Sequence, residues 1–369
     1  MSEVMTSGLR AQGVGVEGGL YALDRHGDRD ARPGLVDFAV NVRAGAPDFV
    51  IDAVRDRLDD LARYPTAADE DRAIDAIASA HGRDPSEVLL LAGAADGFEM
   101  LPRLAPAHAA LIQPSFTEPE LVLRAAGVPI TQVTLPPPWC LGGDTAIPEH
   151  ADLVVLGNPT NPTSVLHARE AIAALRRPGR IIVVDEAFAD LTEGPDGRPE
   201  PESLAGESWP DVIVIRSVTK TFGLAGLRAG YLLAAAPVIE MLSAGRRPWA
   251  LSTPALAALT ACLSERGERY RAEQAAAVAT ERERMCRELE RIGLRVAAEP
   301  RAPFVLVEVP DALVIKQGLA ERGFAVRGCV NFVGLGAEHL RLAVRAAEPV
   351  AELVAAIEQI RAGRTGGQS

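Results

Sequence analysis

The dominant pattern in the chain is a series of short apolar runs between residues 88 and 234, separated by stretches with helical spacing. The runs are VLLLAG (88–93), AALIQP (109–114), ITQVTL (130–135), ADLVVLGN (151–158), RIIVVDEAF (180–188), DVIVIRS (211–217) and AGYLLA (229–234). Several are apolar at consecutive positions, as strands covered by helices on both faces must be. Seven such strands with helices between them predict an α/β fold, a three-layer sandwich on a mostly parallel seven-stranded sheet. The last run follows its predecessor after roughly ten residues, too few for a helical crossover. An antiparallel strand is expected there.

Downstream the pattern changes. Residues 255–295 are rich in Ala, Glu and Arg and predict a long helix or a helix pair. FVLVEV (304–309), FAVRGC (324–329) and LRLAVR (340–345) then read as strands of a smaller α+β unit, closed by the helix PVAELVAAIEQIRAG (349–363). The first forty residues are weakly patterned and are expected to pack against this unit. The expected organisation is a large domain over 40–245, with a smaller one formed by 1–39 and 246–369.

Composition narrows the partners. A length of 369 residues supports more than one core, and 48% hydrophobic with 24% charged residues is the composition of a globular protein. A net charge of −12 argues against a nucleic-acid surface, which needs a basic face. No apolar run approaches the ~20 residues of a spanning helix, and the N-terminus lacks the basic-then-apolar order of a signal peptide. A cytoplasmic location without membrane attachment is expected. Cys140, Cys262, Cys286 and Cys329 are scattered, with no C-x-x-C and no histidine cluster, which predicts reduced thiols and no metal site.

Ligands of open α/β sheets sit at the carboxyl ends of the strands, and several polar residues fall there. Gly93, Ala94 and Ala95 separate a strand from a helix. Small residues at that point let backbone N–H groups approach an anion, although an ordinary turn would look the same. In GNPTNPTS (157–164) the prolines prevent a helix start, leaving Asn158, Thr160, Asn161 and Thr163 exposed at the sheet edge, unless the segment is merely a turn. Asp185 and Glu186 close an apolar strand, where a carboxylate is costly unless it meets solvent, a cap or a cationic ligand.

Lys220 lies in RSVTKTFGLAGLRAG (216–230), in a chain with two lysines, Lys220 and Lys316, against thirty-six arginines. An amine with a lowered pKa attacks an aldehyde and forms an imine; a guanidinium keeps its proton and does not. The apolar flank TFGLAGL argues against an idle surface lysine.

Together these segments resemble the fold-type I pyridoxal-phosphate enzymes of the class I/II aminotransferase family, over residues 26–355. NPTNPTS is similar to that family's N-P-T-G, VVDEAF to its D-E-A-[YF], and RSVTK with Arg228 eight residues on to its S-x-[ST]-K and arginine. The resemblance implies pyridoxal 5'-phosphate held covalently by Lys220, with Asp185 paired to the ring nitrogen and Asn161 bonded to the ring's 3-oxygen. It implies a phosphate site made by the Ala94 and Ala95 N–H groups, Ser217, Thr219 and Arg228. Phe116 would stack on the ring. Tyr64, in ARYPT, would reach the phosphate of a neighbouring subunit and make the protein a homodimer. Arg341 would take the substrate's carboxylate.

Phe188 stands where many of these enzymes have a tyrosine, and Ser164 replaces the final glycine of N-P-T-G, which puts the local backbone shape in question. Within the family, two branches acting on small phosphorylated amino compounds are most similar, the histidinol-phosphate aminotransferases and the threonine-phosphate decarboxylases of cobalamin synthesis. RHGD (25–28), DEAF, RSVTK and VRGCVNFVGL lean toward the decarboxylase, with Gly328 a departure from its V-R-D-C and NVRAGAP keeping Asn41 but losing N-P-x-G. In either case Arg327 and Arg341 would divide the substrate's phosphate and carboxylate, with Asn41 and His26 as further binding candidates. The alternative from another class is a non-catalytic pyridoxal-phosphate-binding protein. A nicotinamide dehydrogenase is excluded, since no G-x-G-x-x-G follows a strand.

Overall fold

In the computed structural model, which describes residues 23, 27, 30–43 and 45–365, the apolar runs become strands of one sheet. The strands of the molecule are β1 (Val36–Phe38), β2 (Val88–Leu91), β3 (Ala109–Gln113), β4 (Ile130–Thr134), β5 (Leu153–Gly157), β6 (Ile181–Asp185), β7 (Val212–Ser217), β8 (Gly230–Leu233), β9 (Arg295–Val296), β10 (Phe304–Glu308), β11 (Phe324–Gly328) and β12 (His339–Ala343). The large sheet has the order β2-β8-β7-β6-β5-β3-β4. Its pairs are parallel except those of β8, which is antiparallel to β7 and β2. The short connection before β8 permits no other direction.

Alternation along each buried strand divides the side chains between two helical layers. On β5, Val154 and Leu156 join the core that also holds Ala73 and Ile77 of helix Ala67–His81, while Leu153 and Val155 join the opposite core with Phe98, Leu123 and Leu242. Burying each such side chain contributes roughly 1.5–3 kcal/mol relative to exposure. Register then sets the carboxyl ends side by side, with Gly157 opposite Asp185 and Asp185 opposite Ile215.

The Ala-, Glu- and Arg-rich stretch is a helix pair, Thr253–Cys262 and Glu265–Arg291. Ser264 caps the second helix by accepting from Gly267 N at 3.3 Å. Gly267 is there of necessity, because a Cβ would sit 2.0 Å from the Cys262 carbonyl oxygen. The first helix, though C-terminal to the boundary expected at residue 245, buries Leu256, Leu259 and Cys262 in the core of the large sheet.

The second sheet has the order β1-β11-β12-β10-β9, with β1 parallel to β11 and the other pairs antiparallel. β1 and β9 were not expected, since three and two residues carry no readable alternation. Among the described residues, no helix is long and apolar enough to cross a membrane.

Candidate active site

A cavity of about 440 Å³ opens at the carboxyl ends of the large sheet and is closed from the other side by β11, β12 and the segment after β1. That volume falls within the range of small-molecule sites. Every described residue expected to form a binding site lines it, except Tyr64. Tyr64 is 72% exposed and stacks on Trp249 with ring centroids 4.2 Å apart. His26 lies outside the described residues.

One end of the cavity is a cup of donors. After β2 the chain turns at Gly93, and helix Ala94–Glu99 begins there. The N–H groups of Ala94 and Ala95 are in its first turn, where no intrahelical acceptor exists. Gly93 has φ +86°, and a Cβ would come within 2.7 Å of Arg228 Nη2, so a glycine lets the guanidinium close the cup. Ser217 Oγ lies 2.7 Å from Thr219 Oγ1 at the end of β7. Guanidinium, hydroxyls and bare N–H groups together suit a phosphate group.

Asp185 and Lys220 form the middle of the cavity. Burial pushes the Asp185 carboxyl up to about 6, against a hydrogen bond from Ala187 N at 3.0 Å and the charge of Lys220. Burial also lowers the Lys220 amine, helped by the cations Arg341 and Arg228 and opposed by Asp185. Its backbone is clamped, the Lys220 carbonyl accepting from Arg43 N at 3.0 Å. Lys220 Nζ stands 5.9 Å from the centroid of Phe188, whose ring meets Phe304 edge-on. Phe116 packs against Phe98 at 6.1 Å.

The far wall carries two arginines. Arg327 on β11 and Arg341 on β12 are direct cross-strand partners, 3% and 6% exposed. Arg341 donates to Asn161 Oδ1 at 2.5 Å and to the Ala39 carbonyl at 2.6 Å. Asn41 turns its amide oxygen toward the same guanidinium, 3.2 Å from Nη1 and 3.3 Å from Nε. Burial pulls the Arg341 pKa down to about 10; Cys329 opposes this and the like charge of Arg327 adds to it. Arg341 keeps its proton at neutral pH, and burial leaves its charge poorly accommodated by the protein alone. Like charges directly opposite on neighbouring strands are destabilising, and an anion between them removes the conflict.

The N-P-T segment differs from expectation. Of its four polar side chains only Asn161 reaches the cavity; Asn158, Thr160 and Thr163 are buried at 1%, 5% and 1% exposure rather than exposed at the sheet edge. They are structural. Asn158 Oδ1 accepts from His167 N at 2.7 Å, and Thr160 Oγ1 donates to the Gly157 carbonyl at 2.8 Å. Ser164, where the family motif has glycine, adopts a left-handed conformation, φ +66°. Its hydroxyl accepts from Ala302 N at 2.8 Å and Arg301 N at 3.1 Å, tying the loop to the segment before β10.

Glu186, adjacent to Asp185, points away from the cavity into a buried ion network. Arg216 on β7 meets Glu186 and Glu200, each at 2.8 Å, and also Asp190. Burial raises Glu186 and Asp190, while at Glu200 it is outweighed by Arg216. The cavity also holds an acid that sequence reasoning missed, Glu118 at the start of helix Glu118–Ala125. Its charge acts on both Asp185 and Lys220. Its position two residues beyond Phe116, at the carboxyl end of β3, was the available signal.

This fold is the type I fold of pyridoxal-phosphate transferases. The model of the family "Aminotransferase class I and II" matches residues 33–360, and the chain belongs to that family. The protein is therefore a pyridoxal-phosphate-dependent enzyme. It is 49% identical over 342 residues, 92% of its length and 91% of the relative's, to a histidinol-phosphate aminotransferase of Mycobacterium bovis. With a threonine-phosphate decarboxylase of a Sinorhizobium species it shares 36% identity over 239 residues, 62% of its length and 65% of the other's. The crystal structure of the histidinol-phosphate aminotransferase from Clostridium acetobutylicum superposes with a TM-score of 0.82 at 25% identity, covering 89% of this chain and all of that one.

Proposed function

We propose that the chain is an aminotransferase that moves the amino group of a small phosphorylated amine, of the histidinol phosphate kind, to a 2-oxo acid. The single observation that carries this reading is the buried cross-strand pair Arg327 and Arg341 facing Lys220. A phosphorylated amine brings one phosphate group and a dicarboxylic oxo acid two carboxylates, all of them anions that such a wall would take. The relatives support the same order, since 49% identity over most of the chain outweighs 36% over less of it. This reverses the lean toward the decarboxylase drawn from RSVTK and VRGCVNF. The decarboxylase stays as the second reading on one observation. Asn331 and Phe332, from the segment that motif shares, hold Arg327: Nη2 donates to Asn331 Oδ1 at 2.9 Å, and the guanidinium lies 5.4 Å from the Phe332 ring.

The donor cup suits the phosphate of pyridoxal phosphate, and Asp185 sits where a cationic ring nitrogen would lower its pKa. When bound, that cofactor supplies an aldehyde that takes up amino groups and a ring that accepts electrons released at the neighbouring carbon. Arg228, Ser217, Thr219 and the Ala94 and Ala95 N–H groups would hold the phosphate, Asn161 the 3-oxygen and Phe116 one ring face. Lys220 Nζ would bond the cofactor at rest and move the proton at the substrate's carbon once released. Its lowered pKa favours the unprotonated amine that both tasks need. Arg341 and Arg327, with Asn41, would pin the substrate's anions and exclude water from that face.

Residues 40–245, with helix Thr253–Cys262 packed on them, would form the cofactor-holding unit, and the remainder the unit that brings Arg327 and Arg341. The exposed Leu58, Leu61 and Tyr64, with Trp249 stacked on Tyr64, support a homodimer through this face in which Tyr64 reaches the other subunit's cup. The test supplies purified protein with histidinol phosphate plus 2-oxoglutarate and, separately, with O-phospho-L-threonine. Glutamate formation in the first is expected. Carbon dioxide release in the second, without glutamate in the first, would replace this reading with the decarboxylase.

A further inference from the structure

The chain's second lysine has no part in the roles above, yet it is not a surface residue. Lys316 lies on helix Ala312–Glu321, which packs on β11, and its side chain is 21% exposed. Its Nζ is 2.9 Å from Asp30 Oδ1, and Asp30 Oδ2 is 3.7 Å from Arg327 Nη1. Asp30 and Arg327 side chains are 10% and 4% exposed. The order is therefore lysine, carboxylate, arginine, cavity.

An arginine that must take an anion from solution gains orientation from a neighbouring carboxylate but loses affinity to it, because the carboxylate competes for the same charge. A cation on the far oxygen of that carboxylate relieves the competition and returns the trio to a net positive charge. We propose that Asp30 and Lys316 are positioning residues for Arg327: Asp30 sets the guanidinium, and Lys316 keeps Asp30 from neutralising it toward a phosphate monoester. This rests on the reading that Arg327 receives the substrate's phosphate.

The test uses the cofactor-loaded enzyme as wild type, Lys316→Ala and Lys316→Arg. Inorganic phosphate is titrated calorimetrically, and KM and kcat are measured with histidinol phosphate. Lys316→Ala is expected to weaken phosphate binding and raise KM roughly tenfold, within the coupling range of one ion network. The effect on kcat is expected to be much smaller, and Lys316→Arg to restore both binding and KM. Unchanged phosphate affinity in Lys316→Ala, or no phosphate binding to the wild type, overturns the proposal. So does a fall in kcat and melting temperature that Lys316→Arg does not rescue, which marks a purely structural tie. If the wild type does not turn over histidinol phosphate but phosphate binding still depends on Lys316, the proposed substrate fails and this inference stands.

Discussion

Two arginines in this protein are almost equally buried and sit in opposite surroundings. Arg216, under the large sheet, is matched by three carboxylates of its own chain. Arg341, across the cavity, has only neutral hydrogen-bond acceptors among the described residues and a second arginine opposite it on the next strand. Burial works against both charges. At Arg216 the carboxylates win and hold the guanidinium far above its ordinary pKa; at Arg341 burial wins and pulls it down. A buried cation satisfied from within serves the fold. One left short is available to a ligand that arrives with the missing charge, the role proposed for Arg341.

Replacing each arginine in turn should separate these two roles. Arg341→Ala should lower kcat/KM by roughly a thousandfold, about 4 kcal/mol of lost transition-state binding, while the unfolding midpoint barely moves. Arg216→Ala strands buried carboxylates and should cost about 3–5 kcal/mol of stability in chemical denaturation. If Arg341→Ala proved the more destabilising of the two, the distinction would be wrong.

A smaller effect sharpens the contrast within the cavity. With Asp185 raised to about 6, its protonated form favours folding of the cofactor-free chain below pH 4. That contribution is lost as pH rises through 6. Asp185→Asn should therefore stabilise the cofactor-free protein at pH 7 by about 3 kcal/mol, with little gain at pH 4. The same substitution should weaken cofactor binding. Urea unfolding at the two pH values checks this, and equal effects at both would count against a strained carboxylate.

The parts legible in the sequence were those written in local pattern. Short apolar runs marked all seven strands of the large sheet, and the short gap before β8 marked its reversal. Lys220 stood out because a chain rich in arginine kept an amine there. What stayed hidden depends on residues distant in sequence. Turn-forming composition made Asn158, Thr160 and Thr163 look exposed, because nothing local shows that His167 and the segment at 301–302 cover that loop. Glu118 drew no notice, since an acid in a first helical turn is ordinary where the dipole alone favours it. Arg216 read as a strand residue, since Glu186, Asp190 and Glu200 reach it only through the fold.

The central claim is that Lys220, not Lys316, carries the cofactor. Borohydride reduction of the loaded enzyme, followed by peptide mass spectrometry, tests it directly. The pyridoxyl mass is expected on the peptide containing Lys220 and not on that containing Lys316. The reverse would contradict the claim.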